Sequence, residues 1–271
     1  MTDVPIHVES LPARLGTTAR LEGDELLVEL EPGPAVLHHG VVRTSVLSYL
    51  VDCVAGIPLD RDPDAWTLTT DMTVRARPVP APDRVTARFR LLRQGRHSAT
   101  GAVDLHDGDG AVLGTGAIGF ARVPRGDDDP PKVHLAVDEL VARFAAAPVV
   151  SEPLRTAAGI EVVDPAAGVV EVPITNALRN PAGTLQGAMV ALVAEVAAEE
   201  ALATRSACPV VVTDLDLRYL DRTRAGPVRT RTEVIGDGPD APVVVELVDL
   251  STDTVTTLAH ARARPPFPHR G

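Results

Sequence analysis

Two acidic residues each lie eight positions after a small or hydroxyl residue in an apolar segment of the chain. Asp52 follows Thr44 in one segment, and Glu195 follows Gly187 in the other. Residues eight apart share one face of an α-helix. A carboxylate in apolar surroundings has a raised pKa and can act as a base, so this spacing predicts a catalytic carboxylate. The alternative is that each carboxylate belongs to a solvent-exposed stripe.

The two segments belong to an internal duplication with a constant offset of 143 residues. At this offset Asp52 coincides with Glu195, and residues 70–75 coincide with residues 213–218. The match continues without a gap from about residue 40 to residue 121. A repeat of this length is one whole domain, so each copy should build its own set of elements.

Each copy should contain a pair of strands, one long apolar helix and a run of antiparallel strands. Alternating apolar and polar residues predict the strands, and turns rich in Gly, Asp and Pro separate them. A single apolar helix in such an α+β unit is best buried by a sheet that curls around it. The predicted domains are 1–124 and 151–271, with a linker at 125–150. The predicted helices are Val41–Ile57, Leu135–Ala147 in the linker and Thr184–Thr204. The predicted strand segments are Ala19–Leu30, Thr67–Arg77, Val85–Gln94, Ser98–His106, Ala111–Val123, Ile160–Ile174, Val210–Leu220, Val228–Ile235, Val243–Leu250 and Thr254–Arg264.

Composition restricts the classes of function and the location. The chain has 271 residues, is 45% hydrophobic and carries a net charge of −11. This charge argues against nucleic acid and anionic membranes as partners. We expect no signal peptide and no membrane-spanning helix, and the two cysteines indicate neither a disulfide framework nor a metal site. The expectation is a soluble cytoplasmic protein without a metal.

The run Asn180–Ala188, with Glu195 eight residues after Gly187, resembles the hallmark of phenylacetate-pathway-type hotdog-fold acyl-CoA thioesterases. In the first copy, Arg93–Arg96 and Asp107–Gly110 resemble the later strands of tandem hotdog thioesterases. The resemblance implies two tandem hotdog domains, each a curved antiparallel sheet around one apolar helix, paired as an internal pseudo-dimer. It further implies hydrolysis of an acyl-CoA thioester with no cofactor, coenzyme A being part of the substrate, and it allows a homo-oligomer.

The resemblance also implies a composite site that takes residues from both copies. Asn180 and Gly187 would come from the second copy, and Asp52 and Thr70 from the first. A backbone N–H at the start of a helix favours negative charge, so Gly187 would supply an oxyanion hole. Asp52 would deprotonate water or attack directly, with Thr70 orienting the water. Asn180 could hold the water or the carbonyl, and its alternative role is to shape a turn.

The mirror site would combine Glu195 and Thr213 with Leu37 and Thr44. Leu37 cannot hydrogen-bond through its side chain, so we predict one intact site and one degenerate site. In the intact site Gln186 replaces the histidine of the family pattern.

Three arginines are candidates for binding the phosphates of coenzyme A. Lys132 is the only lysine among 26 basic residues, so arginine is the ordinary basic residue of this chain and its presence is weaker evidence for phosphate binding. These candidates are Arg75, Arg218 and Arg222.

Other functions stay open at this point. A non-catalytic acyl-CoA-binding protein would keep the pocket, and a structural protein would use only the fold. A hotdog hydratase is disfavoured because such enzymes carry a histidine five residues after the aspartate, where this chain has Ile57. The acyl group, and whether coenzyme A or a carrier protein bears it, are not determined by the sequence.

Overall fold

The computed structural model describes residues 10–266 except 24, 128, 133–135, 207 and 239. The α-helices are α1 (Thr44–Leu59), α2 (Val137–Ala146), α3 (Leu154–Ala157) and α4 (Gly187–Ala203). The strands of the first half are β1 (Thr17–Glu22), β2 (Glu25–Leu30), β3 (Leu37–His38), β4 (Val41–Val42), β5 (Ala65–Ala76), β6 (Val85–Gln94), β7 (Ser98–Asp107) and β8 (Val112–Pro124). Those of the second half are β9 (Glu161–Asp164), β10 (Val169–Val172), β11 (Val211–Tyr219), β12 (Val228–Val234), β13 (Val243–Asp249) and β14 (Thr254–Arg264).

Within the described residues, twelve of these strands form one antiparallel sheet that runs through both halves. The order is β1-β2-β6-β7-β8-β5-β11-β14-β13-β12-β10-β9, so each half contributes six neighbouring strands. The halves meet where β5 pairs with β11. Thr73 lies opposite Asp216, its own equivalent at the 143-residue offset, which places a local twofold relation at this pair.

The two long helices form the centre of the core. α4 is buried along nearly its whole length, and α1 is buried except at its C-terminal end and at Asp52. A helix that is apolar on all sides must be covered on all sides, and here the sheet and the other helix do so. No helix in the described part of the chain is long and apolar enough to span a membrane.

The strand predictions are confirmed by the structure to within three residues at each end. Both long helices, however, begin three residues later than predicted. Before α1, residues 41 and 42 pair with residues 37 and 38 in a short hairpin, whose turn holds His39 at φ 48° and Gly40 at φ 77°. Before α4, Arg179 bridges to Leu185 across a loop. The residues in this hairpin and in this loop include apolar ones that continue the helix-like pattern of the sequence, although they are not helical. The sequence therefore predicted helix starts that were too early.

The linker is attached to both halves by charged side chains. Lys132 Nζ donates to Asp60 Oδ1 at 2.7 Å and lies over the Trp66 ring. Asp129 accepts hydrogen bonds from Arg222 at 3.0 Å and Arg224 at 2.9 Å. Helix α2 confirms the predicted linker helix, whose predicted first residue, Leu135, lies outside the described residues. The residue bounds of the domains stay a prediction.

Candidate active site

A cavity of about 580 Å³ lies beside the middle of α1 and the start of α4, with walls from both halves of the chain. Aromatic side chains such as Trp66, Phe120 and Phe144 form part of its lining. A concave, largely apolar cavity with a few polar groups is typical of a small-molecule site. The predicted site residues that line it are Asp52, Thr70, Asn180, Gln186, Gly187 and Arg222.

Asp52 is one of three aspartates that line this cavity, and its carboxylate has one hydrogen-bond donor from each half. Thr69 Oγ1 donates to Asp52 Oδ1 at 2.7 Å, and Gln186 Nε2 donates to Asp52 Oδ2 at 3.2 Å. Burial raises the pKa of Asp52, and the Thr69 hydroxyl opposes this by stabilising the charged form. The result is a carboxylate that is partly buried, held by two hydrogen bonds and able to accept a proton.

The hydroxyl that contacts Asp52 comes from Thr69, whereas the sequence pointed to Thr70. The pairing of β5 with β8 shifts register between Thr69 and Asp71, so a bulge turns the neighbouring residues away from strict alternation. Thr70 lines the cavity, but its Oγ1 donates to Asp71 Oδ2 at 2.9 Å. The contacts therefore assign the positioning of the carboxylate to Thr69.

Gln186 is the N-cap residue of α4 and contacts the helix and the carboxylate at once. Its Oε1 accepts the Ala188 N–H at 2.5 Å, which orients its Nε2 toward Asp52. A side chain that caps a helix in this way satisfies an otherwise free backbone donor. The position that carries histidine in the family pattern is thus occupied by an amide held in one orientation.

Gly187 is the first residue of α4 and lines the cavity. Among the described residues no acceptor takes its N–H, so this donor is available to a ligand. Tyr219 Oη donates to the Gly187 carbonyl at 3.1 Å, and a Cβ on residue 187 would lie 3.2 Å from that hydroxyl. The glycine therefore allows a tyrosine to close over the start of the helix.

Asn180 lies on the cavity wall and also shapes the loop before α4. Its Oδ1 accepts the Thr184 N–H at 3.0 Å, and its own N–H donates to the Thr184 carbonyl at 2.8 Å. Asn180 therefore stabilises the turn before α4, as the alternative interpretation expected. Its direct contact with a substrate stays a prediction.

The arginines predicted to bind phosphate have different surroundings. Arg75 bridges Asp214 at 3.2 Å and Asp216 at 2.7 Å across the β5–β11 pairing, which makes it part of the junction between the halves. Arg218 donates to the Leu217 carbonyl and lies outside the cavity lining. Arg222 is on the cavity wall, but its guanidinium is paired with Asp129.

The mirror position is closed by the protein's own side chains. Glu195 Oε1 accepts the Thr44 N–H at 2.7 Å, and Glu195 Oε2 accepts the Ser45 hydroxyl. Thr44 is the equivalent of Gly187, so the backbone donor that is free in one half is occupied in the other. Glu195 is 1% exposed and lies outside the cavity, so its predicted catalytic role is not supported by its position.

A buried cluster of charges holds Glu195 in place. Arg43, the equivalent of Gln186, lies 3.4 Å from Glu195 and 2.9 Å from Glu199. Burial raises the pKa values of both glutamates, and the Arg43 guanidinium counteracts this. Burial, together with the charge of Arg43, lowers the pKa of the adjacent His38 to about 4, so its imidazole is neutral at physiological pH.

Two further mirror positions show how the sites diverged. The equivalent of Thr69 is Val212, which has no hydroxyl to offer, and its carbonyl accepts the Thr44 hydroxyl at 2.5 Å. Thr213 lines no part of the cavity and donates to Asp214 at 2.7 Å. The expectation of one intact and one degenerate site stays a prediction.

Thr69 and Tyr219 line the cavity and hydrogen-bond to predicted site residues, and the sequence interpretation missed both. Comparing the copies could have revealed Thr69, because its equivalent Val212 is apolar while Thr70 and Thr213 are the same residue type. No comparable sequence signal marks Tyr219. In the described part of the chain no group of three or more His, Cys, Asp or Glu side chains is arranged to hold a metal ion.

Comparisons with known proteins bear on the fold that carries this site. A family model described as the thioesterase superfamily matches residues 76–113. No curated protein sequence gives a significant match. Three solved structures share the architecture across both halves at low identity.

An acyl-ACP thioesterase from Bacteroides thetaiotaomicron is 11% identical, with a TM-score of 0.59, covering 88% of this chain and 97% of that chain. A 12:0-ACP thioesterase from Umbellularia californica is 11% identical, with a TM-score of 0.61 and coverages of 91% and 99%. A tesB protein from Mycobacterium avium subsp. paratuberculosis is 12% identical, with a TM-score of 0.58 and coverages of 94% and 98%. The resemblance to hotdog-fold thioesterases is therefore confirmed, and the fold is the one that these proteins share.

Proposed function

We propose that this protein is an acyl-CoA thioesterase in which two tandem hotdog domains pair as an internal pseudo-dimer around one composite active site. The observation that carries the proposal is the contact between Asp52 of the first half and Gln186 of the second, inside an apolar cavity. The free Gly187 N–H on the wall of the same cavity supports it. The fold shared with thioesterases makes thioester hydrolysis the reaction that suits these groups.

The proposed reaction places the thioester carbonyl oxygen on the Gly187 N–H. Asp52 takes a proton from a water molecule as its oxygen forms a bond to the carbonyl carbon. The negative charge moves to the carbonyl oxygen, where the helix N-terminus stabilises it. The intermediate collapses with cleavage of the carbon–sulfur bond, and the proton held by Asp52 passes to the departing thiolate. The products are a free acid and a thiol.

Direct attack by Asp52 is the second route that the geometry allows. It would form a mixed anhydride with release of the thiolate, and water would then hydrolyse the anhydride. The Thr69 and Gln186 bonds orient the carboxylate in either case. In water enriched in ¹⁸O, label in the Asp52 carboxylate after a single turnover would demonstrate the anhydride route, with water attacking the Asp52 carbon of the anhydride.

The test of function is a hydrolysis screen over acyl-CoA thioesters of different chain length and aromatic character. We expect wild-type protein to hydrolyse at least one class and Asp52→Asn to lose roughly 10²- to 10⁴-fold in rate, the usual contribution of a general base. Glu195→Gln is the matched control, because it changes the equivalent carboxylate outside the cavity and should retain the rate of the folded protein.

The same experiment distinguishes the non-catalytic alternative. A wild-type protein that binds acyl-CoA without hydrolysing any thioester would be an acyl-CoA-binding protein and would contradict the proposal. We further propose that the protein acts in the cytoplasm on soluble thioesters, without nucleic acid or membrane partners, and can assemble as a homo-oligomer. Its net charge of −11 and the family resemblance support these points.

A further inference from the structure

A second cavity, of about 470 Å³, lies in the first half at the C-terminal end of α1. Its lining comes from the α1–β5 loop, the β6–β7 turn and the end of β8. Thr67 and Phe120 line both this cavity and the active-site cavity, so the two cavities share a wall. The second cavity is therefore adjacent to the active-site cavity.

Three arginines line this second cavity: Arg61, Arg96 and Arg122. Arg122 is paired with Asp62, the only acid in the lining. Arg61 and Arg96 are exposed, and no described residue forms a hydrogen bond or ion pair with either of them. In a chain of net charge −11, this is a local excess of positive charge beside the active site.

We propose that this basic cavity binds the phosphorylated nucleotide end of coenzyme A. The assignment rests on the proposed function and specifies its substrate as acyl-CoA. Guanidinium groups suit phosphate because they present several donors in a planar fork. Two guanidiniums without acidic partners can bind phosphate without first breaking an ion pair.

The distance along α1 fits this assignment. Leu59 ends α1 seven residues after Asp52, which corresponds to about 10 Å at the rise of an α-helix. The pantetheine arm between sulfur and phosphate is as long as about four extended residues, roughly 14 Å. If the pantetheine arm of a thioester beside Asp52 runs along α1 toward Leu59, the phosphates lie near the level of Arg61, just beyond the helix end.

The arginines predicted from the sequence are less suited to this role. Arg75 bridges two aspartates at the junction of the halves, and Arg222 is paired with Asp129, whose carboxylate is 4% exposed. A phosphate at Arg222 would have to displace this buried carboxylate. Binding at the basic cavity meets no such competitor at Arg61 or Arg96.

The test measures binding of adenosine 3′,5′-bisphosphate and of coenzyme A by calorimetry. The Arg61→Ala/Arg96→Ala variant should bind both roughly 10²- to 10⁴-fold more weakly, since each of the two lost charged hydrogen bonds is worth roughly 10- to 100-fold. Arg231→Ala is the matched control, because it removes an exposed arginine that pairs with Asp253 in the other half. It should bind like wild type, and all variants should share the wild-type unfolding midpoint.

Kinetics separate this inference from the proposed function. The double variant should raise KM for an acyl-CoA with kcat retained, while the same acyl group on N-acetylcysteamine, which lacks the nucleotide, is hydrolysed as by wild type. Unchanged nucleotide binding, or loss only in Arg222→Ala, would overturn the inference and leave the function standing. The inference would also be overturned if Arg61 and Arg96 were needed only for hydrolysis of an acyl-carrier-protein substrate and the protein bound no nucleotide. Nucleotide binding that depends on Arg61 and Arg96 without hydrolysis of any thioester would support the site and contradict the thioesterase proposal.

Discussion

Gln186 Nε2 donates a hydrogen bond to Asp52 Oδ2 at 3.2 Å, although the two residues are 134 positions apart in the chain. The equivalent pair in the mirror position, Arg43 and Glu195, is separated by 3.4 Å. In the candidate active site, the neutral amide of Gln186 therefore contacts the carboxylate of Asp52 in an open cavity. In the mirror position, the guanidinium of Arg43 contacts the buried carboxylate of Glu195. The duplicated architecture holds the candidate active site in one place and a buried ion cluster in the other.

Thr69→Val should move the acid limb of the pH–rate profile to higher pH. Burial raises the pKa of Asp52 and the Thr69 hydroxyl lowers it, so removing the hydroxyl raises the pKa further. The base is active when ionised, so kcat/KM falls as the pH drops through this pKa, and the variant should lose activity at a higher pH than wild type. The pH dependence of kcat/KM for both proteins measures the shift.

Thr70→Val is the matched control for that measurement. Its hydroxyl donates to Asp71 and makes no hydrogen bond to Asp52. The acid limb should therefore coincide with that of wild type. A shift in Thr70→Val and none in Thr69→Val would reverse the assignment of the two hydroxyls.

The difference between Thr69 and Thr70 also shows where sequence interpretation stops. Alternation predicted β5 well, because the pattern depends only on which face of the sheet is buried. The bulge between Thr69 and Asp71 changes which face of the sheet one residue points to. It arises from the pairing of β5 with β8, a strand about 50 positions away in the chain. Residue types alone do not contain that register.

The two carboxylates give a second example of this limit. The duplication predicted both helices and placed an acid at the same position of each, which the structure confirms. Glu195 has one more methylene than Asp52, which lets it reach the Thr44 N–H, and Arg43 holds it there. The fate of each acid thus depends on side-chain length and on the residue that the other half brings to it.

Gly187→Ala should lower kcat/KM by roughly tenfold, the effect of displacing one hydrogen-bond donor by a few tenths of an ångström. The new Cβ would lie 3.2 Å from the Tyr219 hydroxyl, so the start of α4 or the tyrosine must move. Tyr219→Phe removes the oxygen that the Cβ would crowd. The double variant should therefore be more active than Gly187→Ala, and steady-state kinetics on the four proteins gives the coupling. Strict additivity of the two effects would contradict the crowding.

Gln186→Leu should lower both stability and rate. The variant loses the cap on the Ala188 N–H, which costs about 1 kcal/mol of unfolding free energy. It also loses the donor to Asp52, so kcat should fall while the affinity for a non-hydrolysable acyl-CoA analogue changes little. Denaturant unfolding and kinetics measure the two effects. A variant with an intact rate would show that Thr69 alone suffices to orient the carboxylate.

Arg43→Met should destabilise the fold without lowering the rate per folded molecule. It leaves Glu195 and Glu199 buried without their cation, which costs about 3–5 kcal/mol. Both glutamates already have raised pKa values that Arg43 holds down, so its loss raises them further. A raised carboxyl pKa in the folded state means that stability falls as the pH rises from the unfolded pKa through the folded one. The deficit should therefore be smallest in acid and grow toward neutral pH in denaturant unfolding.

Neutralising the glutamates as well should restore stability to Arg43→Met, because a buried ion cluster can be replaced by neutral groups at little cost. The variant Arg43→Met/Glu195→Gln/Glu199→Gln should thus unfold with much weaker pH dependence. Its hydrolysis should match that of wild type, since the three residues lie outside the cavity lined by Asp52. Titration with a non-hydrolysable acyl-CoA analogue should give one site per chain in both proteins. A folded triple variant with half the wild-type rate would instead identify the mirror position as a second working site, and the asymmetry between Asp52 and Glu195 would then have no catalytic meaning.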